Sequence, residues 1–174
     1  MKANKSSTFT YIVLSFIAPI IFAWVMSQTH WGQNPTSTSN KGLLVNSKEP
    51  WQIYNDAKKS SKWRVVVFSD NTHCQERLHH ADASIILLRD DAKRVQLLTG
   101  DNCKITTQTP LNHDPSLSQL IQQAPKHFNI SDSSEITMMI IDPLGYAVTL
   151  YTSSHPDQAL MKDLKTLLKY SRIG

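Results

Sequence analysis

The stretch WRVVVFSDNTHCQERLHHADASIILL, residues 63–88, decides the reading of this chain. Its first six residues, Trp63 to Phe68, form a near-continuous β-branched and aromatic run without alternation, the pattern of a strand buried on both faces. Ser69 to Asn71 break the run, and Thr72-His73-Cys74-Gln75 has the T-x-x-Q form of a capping box. A helix is therefore predicted from near Cys74, with Leu78, Ala81, Ile85 and Leu88 at helical spacing.

Downstream, Arg94 to Thr99 (RVQLLT) reads as a second strand, ended by Gly100-Asp101-Asn102. Asp114-Pro115 supplies an N-cap and a first-turn proline for a helix carrying Leu117, Leu120, Ile121 and Ala124. Glu135 to Ile141 (EITMMII) and Tyr146 to Tyr151 (YAVTLY) flank Asp142-Pro143-Leu144-Gly145, where Pro presets φ and Gly is free to take positive φ; this predicts a hairpin. Ser154-x-Pro156-Asp157 opens a last helix with Leu160, Leu164, Leu167 and Leu168 on one face and Lys162, Lys165, Lys169 and Arg172 mostly away from it. The order β-α-β-α-β-β-α, two parallel strands joined by a crossover helix and closed by an antiparallel hairpin, is an α/β thioredoxin-like layout. Val65, Val67, Leu78, Ile85, Leu97, Leu120, Met139, Ile141, Leu164 and Leu167 are expected to form one core.

Upstream, one uninterrupted apolar run, Phe9 to Met26, follows Lys2 and Lys5, and no Asp, Glu, Lys or Arg occurs from Ser6 to Asn40. At about 1.5 Å per residue it matches the ~30 Å hydrocarbon core. A cleaved signal peptide would have a shorter core and an A-x-A-like site, whereas Trp24-Val25-Met26-Ser27-Gln28 stands there. Residues 9–27 are thus expected to be a transmembrane anchor. With the basic flank N-terminal, 1–8 should be cytoplasmic and the C-terminal domain periplasmic or otherwise extracytoplasmic. Residues 28–50, polar apart from Leu43 to Val45, are expected to be a tether, and 51–174 a single domain. The net charge of +4 and pI near 9.1 come from scattered basic residues interleaved with acids, so no nucleic-acid partner is expected.

The anchor, Asn40-Lys41-Gly42-Leu43-Leu44, Trp63-Arg64-Val65-Val66-Val67, the segment around Cys74, Ile141-Asp142-Pro143-Leu144-Gly145 and the ending Leu164 to Gly174 together resemble a bacterial family. It is the small membrane-anchored, Sco-like proteins associated with cytochrome c oxidase assembly. The resemblance implies a Cys-x-x-x-Cys pair after the first central strand and a histidine before the Asp-Pro turn, which bind copper or exchange a disulfide. Matched by position, Cys74 falls on the second cysteine, but Asp70 stands for the first and Ser134 for the histidine. Copper(I) favours thiolate and imidazole donors, so copper is not carried over as a cofactor, and dithiol exchange lacks its second thiol.

The other cysteine, Cys103, follows the second predicted strand. If the first two strands are parallel neighbours, the loops carrying Cys74 and Cys103 share one sheet edge. Three readings stay open there: a structural disulfide worth about 3 kcal/mol, a reactive Cys74 at a helix N-terminus, or a metal site of His73, Cys74 and Cys103. A peroxidase-type site would need a hydroxyl residue where Asn71 stands. His79 and His80 are expected to be solvated, and His30, His113, His127 and His155 isolated in loops. The basic stripe of the last helix reads as a solvated face or a contact with anionic lipid. The expected function is an accessory of cytochrome c oxidase biogenesis that binds oxidase subunits or other assembly factors. The alternative is a periplasmic copper-binding or thiol-redox protein using Cys74 and Cys103.

Overall fold

A computed structural model describes residues 5–29, 40–68, 73–100, 107–131, 135–156 and 158–173. The chain divides into two compact units, 1–38 and 39–174. The first holds α1 (Lys5–Thr29), a helix of 25 residues with Pro19 inside it and no acidic residue in its first turn or basic residue in its last. Its described side chains, Tyr11 and 13–25, are exposed. Among the described residues no helix is long and apolar enough to cross a membrane.

In the second unit β2 (Trp63–Val67) is buried at every position, as its unalternating sequence requires. It pairs in parallel with β3 (Val95–Thr99), the two joined by α2 (Cys74–Ile86), and antiparallel with β5 (Ile136–Ile141), which forms a hairpin with β6 (Ala147–Thr152). The hairpin turn forms as predicted: Gly145 donates its N–H to the Asp142 carbonyl at 3.1 Å and has φ +94, and a Cβ there would meet the Tyr54 carbonyl oxygen at 2.7 Å. The last helix is α5 (Gln158–Tyr170).

Several expectations change. The sheet has six strands, in the order β1-β6-β5-β2-β3-β4, because two short edges join it: β1 (Leu43–Leu44), antiparallel to β6, and β4 (Leu111–His113), parallel to β3. The stretch expected as a tether thus carries a strand, and the compact unit begins before residue 51. The helix expected from Asp114 is interrupted, as α3 (Ser116–Leu120), a 3-10 turn over 121–123 and α4 (Ala124–Phe128), with Pro125 at the start of α4. Pro115 and not Asp114 is the N-cap residue of α3, and the Asp114 carboxylate accepts the Ser116 N–H just outside it at 3.1 Å.

The single expected core is two, because a central strand sends alternate side chains to opposite faces. On one face Val65, Val67, Leu78, Ile85, Leu97 and Leu164 pack together under α2 and α5, with Leu167 partly buried at the margin. On the other, Val66, Leu98, Met139 and Ile141 pack with Leu117 and Phe128 beneath α3 and α4, with Leu120 at the margin.

Candidate functional site

The sheet's parallel centre puts the C-terminal end of β2 and the N-terminal end of α2 at one edge. His73 is the N-cap residue, at φ −112 and ψ 5, with no side-chain capping bond; Thr72, the expected capping residue, lies outside the described residues. The His73 ring is exposed, its Nδ1 3.8 Å from a carboxylate oxygen of Glu76. Arg77, one turn in, donates from Nη1 to the Phe68 carbonyl at 3.2 Å and so ties the first turn of α2 to the end of β2.

A cavity of about 310 Å³ opens beside this helix start. His73, Glu76, Arg77 and His80 of the α2 segment form one wall, Thr137 and Met138 of β5, Tyr151 and Thr152 of β6 and Ser153 after it the floor, and His155 with Leu160 the far side. His155 Nδ1 accepts the Thr152 N–H at 3.1 Å, so the neutral ring carries its proton on Nε2. The ring also meets Tyr151 edge to face at 5.9 Å. His155 is therefore packed into the wall, not isolated, and His80 lines the cavity instead of standing in solvent. His127 likewise departs from expectation: it lies in α4 with its ring stacked on Trp51 at 4.9 Å.

Behind the floor lies a buried carboxylate. Asp163 is fully buried and accepts hydrogen bonds from the Lys41 N–H at 2.7 Å, the Gly42 N–H at 2.8 Å and the Tyr151 hydroxyl at 2.9 Å. Burial, reinforced by Asp163, pushes the Tyr151 phenol far above its ordinary range. Tyr151 of the cavity floor is thereby fastened, through Asp163, to the Lys41–Gly42 segment. Asp82 of α2 does similar work, accepting the N–H groups of Gln108 and Thr109, each at 2.8 Å. Burial pushes its carboxyl up, but the bonds from Thr109 and Gln108, with His79 nearby, hold it below the usual carboxylate range. Both were legible: Asp82 falls with Leu78, Ala81 and Ile85, and Asp163 with Leu160, Leu164 and Leu167, at the spacing of a buried helix face.

On the other face a smaller cavity of about 230 Å³ is lined by Tyr54, Lys58, Arg64 and Asp114. Arg64, 2% exposed, lies 4.6 Å from the Tyr54 ring centroid and donates from Nη2 to the Lys58 carbonyl, while the Tyr54 hydroxyl donates to Asp114 at 3.1 Å. These bonds brace the domain and present no reactive group.

Of the residues singled out from sequence, the structure places Cys74 as the first residue of α2; its side chain, and all of Asp70, Cys103 and Ser134, lie outside the described residues. Among the described residues no group of three or more His, Cys, Asp or Glu side chains could hold a metal ion.

No curated protein matches the chain. Among solved structures it is similar to a SCO1/SenC family lipoprotein from Bacillus anthracis, at 16% identity over 73% of this chain and 97% of that chain, with a TM-score of 0.43. It is also similar to the exposed lipoprotein thioredoxin Etrx1 of Streptococcus pneumoniae, at 16% identity over 68% and 100%, TM-score 0.42. BsSco, a member of the Sco family of cytochrome c oxidase assembly proteins, aligns at 14% identity over 77% and 98%, TM-score 0.42. The family model for the transmembrane-like, thioredoxin-like C-terminal domain matches residues 63–171, from the first residue of β2 to just past the end of α5. With the parallel β2-α2-β3 unit, the β5-β6 hairpin and the closing α5 all inside that match, the chain belongs to the transmembrane-like, thioredoxin-like C-terminal domain family.

Proposed function

We propose that this protein is a membrane-anchored accessory of cytochrome c oxidase biogenesis whose thioredoxin-like domain acts by binding an oxidase subunit or assembly factor. It performs neither dithiol exchange nor copper transfer. Residues 9–27 cross the inner membrane, 1–8 stay in the cytoplasm and the domain lies in the periplasm. The continuous helix over Lys5–Thr29, free of charge after Lys5, supports the anchor, and the N-terminal basic flank supports the orientation. The oxidase link rests on the sequence resemblance described above.

The observation that carries the binding role is the cavity at the start of α2, beside the backbone position of Cys74, in a chain whose matching positions hold Asp70 and Ser134 in place of a second thiol and an imidazole. Such a site retains a shaped recess with mixed polar and apolar walls and lacks a second thiol for exchange. The test is deletion of the gene in its own bacterium, with assembled oxidase read from the reduced haem a absorbance of membranes. Wild type and Cys74→Ser should restore the signal, while Ser153→Trp, an exposed position at the cavity, should not. An unchanged signal on deletion overturns the oxidase link.

A second reading is a periplasmic copper-binding or thiol-redox protein using Cys74 and Cys103. It is favoured by Asp82 of α2, eight residues after Cys74, which accepts the N–H groups of Gln108 and Thr109, five and six residues after Cys103. Failure of Cys74→Ser to restore the oxidase would support it.

A further inference from the structure

We propose that the outer face of α5 is a docking surface for an anionic lipid bilayer, a proposal that rests on the membrane anchor inferred above. Lys162, Lys165 and Lys169 are exposed and recur at intervals of three and four residues, which aligns them along one side of the helix, and exposed Arg172 follows two residues past its end. The only acid of α5, Asp163, is fully buried and bonded to Lys41, Gly42 and Tyr151, so it does not offset that side. Among the described residues none of the four basic groups takes part in an ion pair. Where the stripe ends, Tyr170 and Ile173 are 76% and 51% exposed, and Lys169 Nζ lies 5.5 Å from the Tyr170 ring centroid. Cations on flexible apolar stems, a phenol and an aliphatic side chain suit the headgroup boundary, where charge meets lipid phosphate and apolar atoms meet the acyl region.

A bilayer is favoured over an acidic protein by covalent connection. The chain from Thr29, the end of α1, to Asn40 can extend at most about 38 Å, so the domain stays near the surface its anchor enters. Each Lys or Arg at an anionic surface raises occupancy roughly fivefold, weak for a free domain and sufficient for a tethered one, where docking is intramolecular.

The experiment uses the full chain in nanodiscs of phosphatidylcholine, alone or mixed with phosphatidylglycerol. Lysines are acetylated briefly and modification is read residue by residue by mass spectrometry, with exposed Lys48 and Lys126 as references. On anionic discs Lys162, Lys165 and Lys169 should react about threefold more slowly relative to the references, and the protection should vanish on neutral discs and at about 0.5 M NaCl. The variant Lys165→Glu/Arg172→Glu, changed only at exposed positions, should lose the protection of Lys162 and Lys169. Equal reactivity on both lipids overturns the proposal alone. Protection that persists on neutral discs assigns the face to protein and also overturns it. Failure of the chain to co-elute with discs of either lipid overturns the anchor as well.

Discussion

Replacing Asp163 tests how the domain holds its entering segment. The wild-type carboxylate is fully buried; Oδ1 accepts the shorter branch of the Lys41 N–H bond, while Oδ2 accepts Gly42 N–H, the Tyr151 hydroxyl and the longer branch from Lys41 at 3.0 Å. Asp163→Asn keeps the oxygen toward Lys41 and turns an NH2 donor against Gly42 N–H, which is left without an acceptor; the Tyr151 hydroxyl can rotate and accept instead. Losing one charge-assisted bond and stranding one part-buried donor costs about 2–4 kcal/mol. That is a large share of a total stability of roughly 5–15 kcal/mol. Tyr151→Phe removes a donor and leaves Asp163 with its two backbone partners, so its cost should be smaller, about 1 kcal/mol. Because the two side chains share one network, the double variant should cost less than the sum. Urea unfolding followed by tryptophan fluorescence gives the free energies, and hydrogen exchange at Val45, whose N–H donates to Val148, reports whether β1 detaches first. The reasoning fails if Asp163→Asn costs under about 0.5 kcal/mol or leaves Val45 protection unchanged.

Gly145→Ala should destabilise by about 1–3 kcal/mol in the same assay, since φ is +94 and the new Cβ would press on the Tyr54 carbonyl. Asp82 titrates below its unfolded value in the folded protein; its contribution to stability is complete above the unfolded pKa and is lost as pH falls through the folded one. Asp82→Asn should therefore flatten the decline in stability below about pH 4, and an unchanged acid limb would contradict the assignment. The purified chain should retain little copper(I), and Asp70→Cys, which adds a soft donor four residues before Cys74 in sequence, should raise retention measured by metal analysis. Stoichiometric copper in the unmodified protein, lost on Cys74→Ser, would refute the degenerate-site reading. Peptide mapping without reductant should recover a Cys74–Cys103 linked pair, and free thiols at both positions would remove the disulfide.

Much of the fold is local chemistry written in order. Trp63 to Phe68 lacks alternation because both faces of β2 are covered, and β2, β3, β5, β6, α2 and α5 lie where period and turn residues put them. Even the two buried carboxylates sit in phase with the apolar faces of their helices. What Asp82 and Asp163 bind was not legible, because their donors lie on segments far along the chain, at Gln108 and Thr109 and at Lys41 and Gly42. The edge strands Leu43–Leu44 and Leu111–His113 are too short to carry a periodic signal and exist only through pairing with β6 and β3. The division of the core into two faces follows from that same sheet, since only a neighbour on each side turns alternation along a strand into two separate interiors. The cavity is decided last of all: its walls come from α2, β5, β6 and the start of α5, which only the closed sheet brings to one edge.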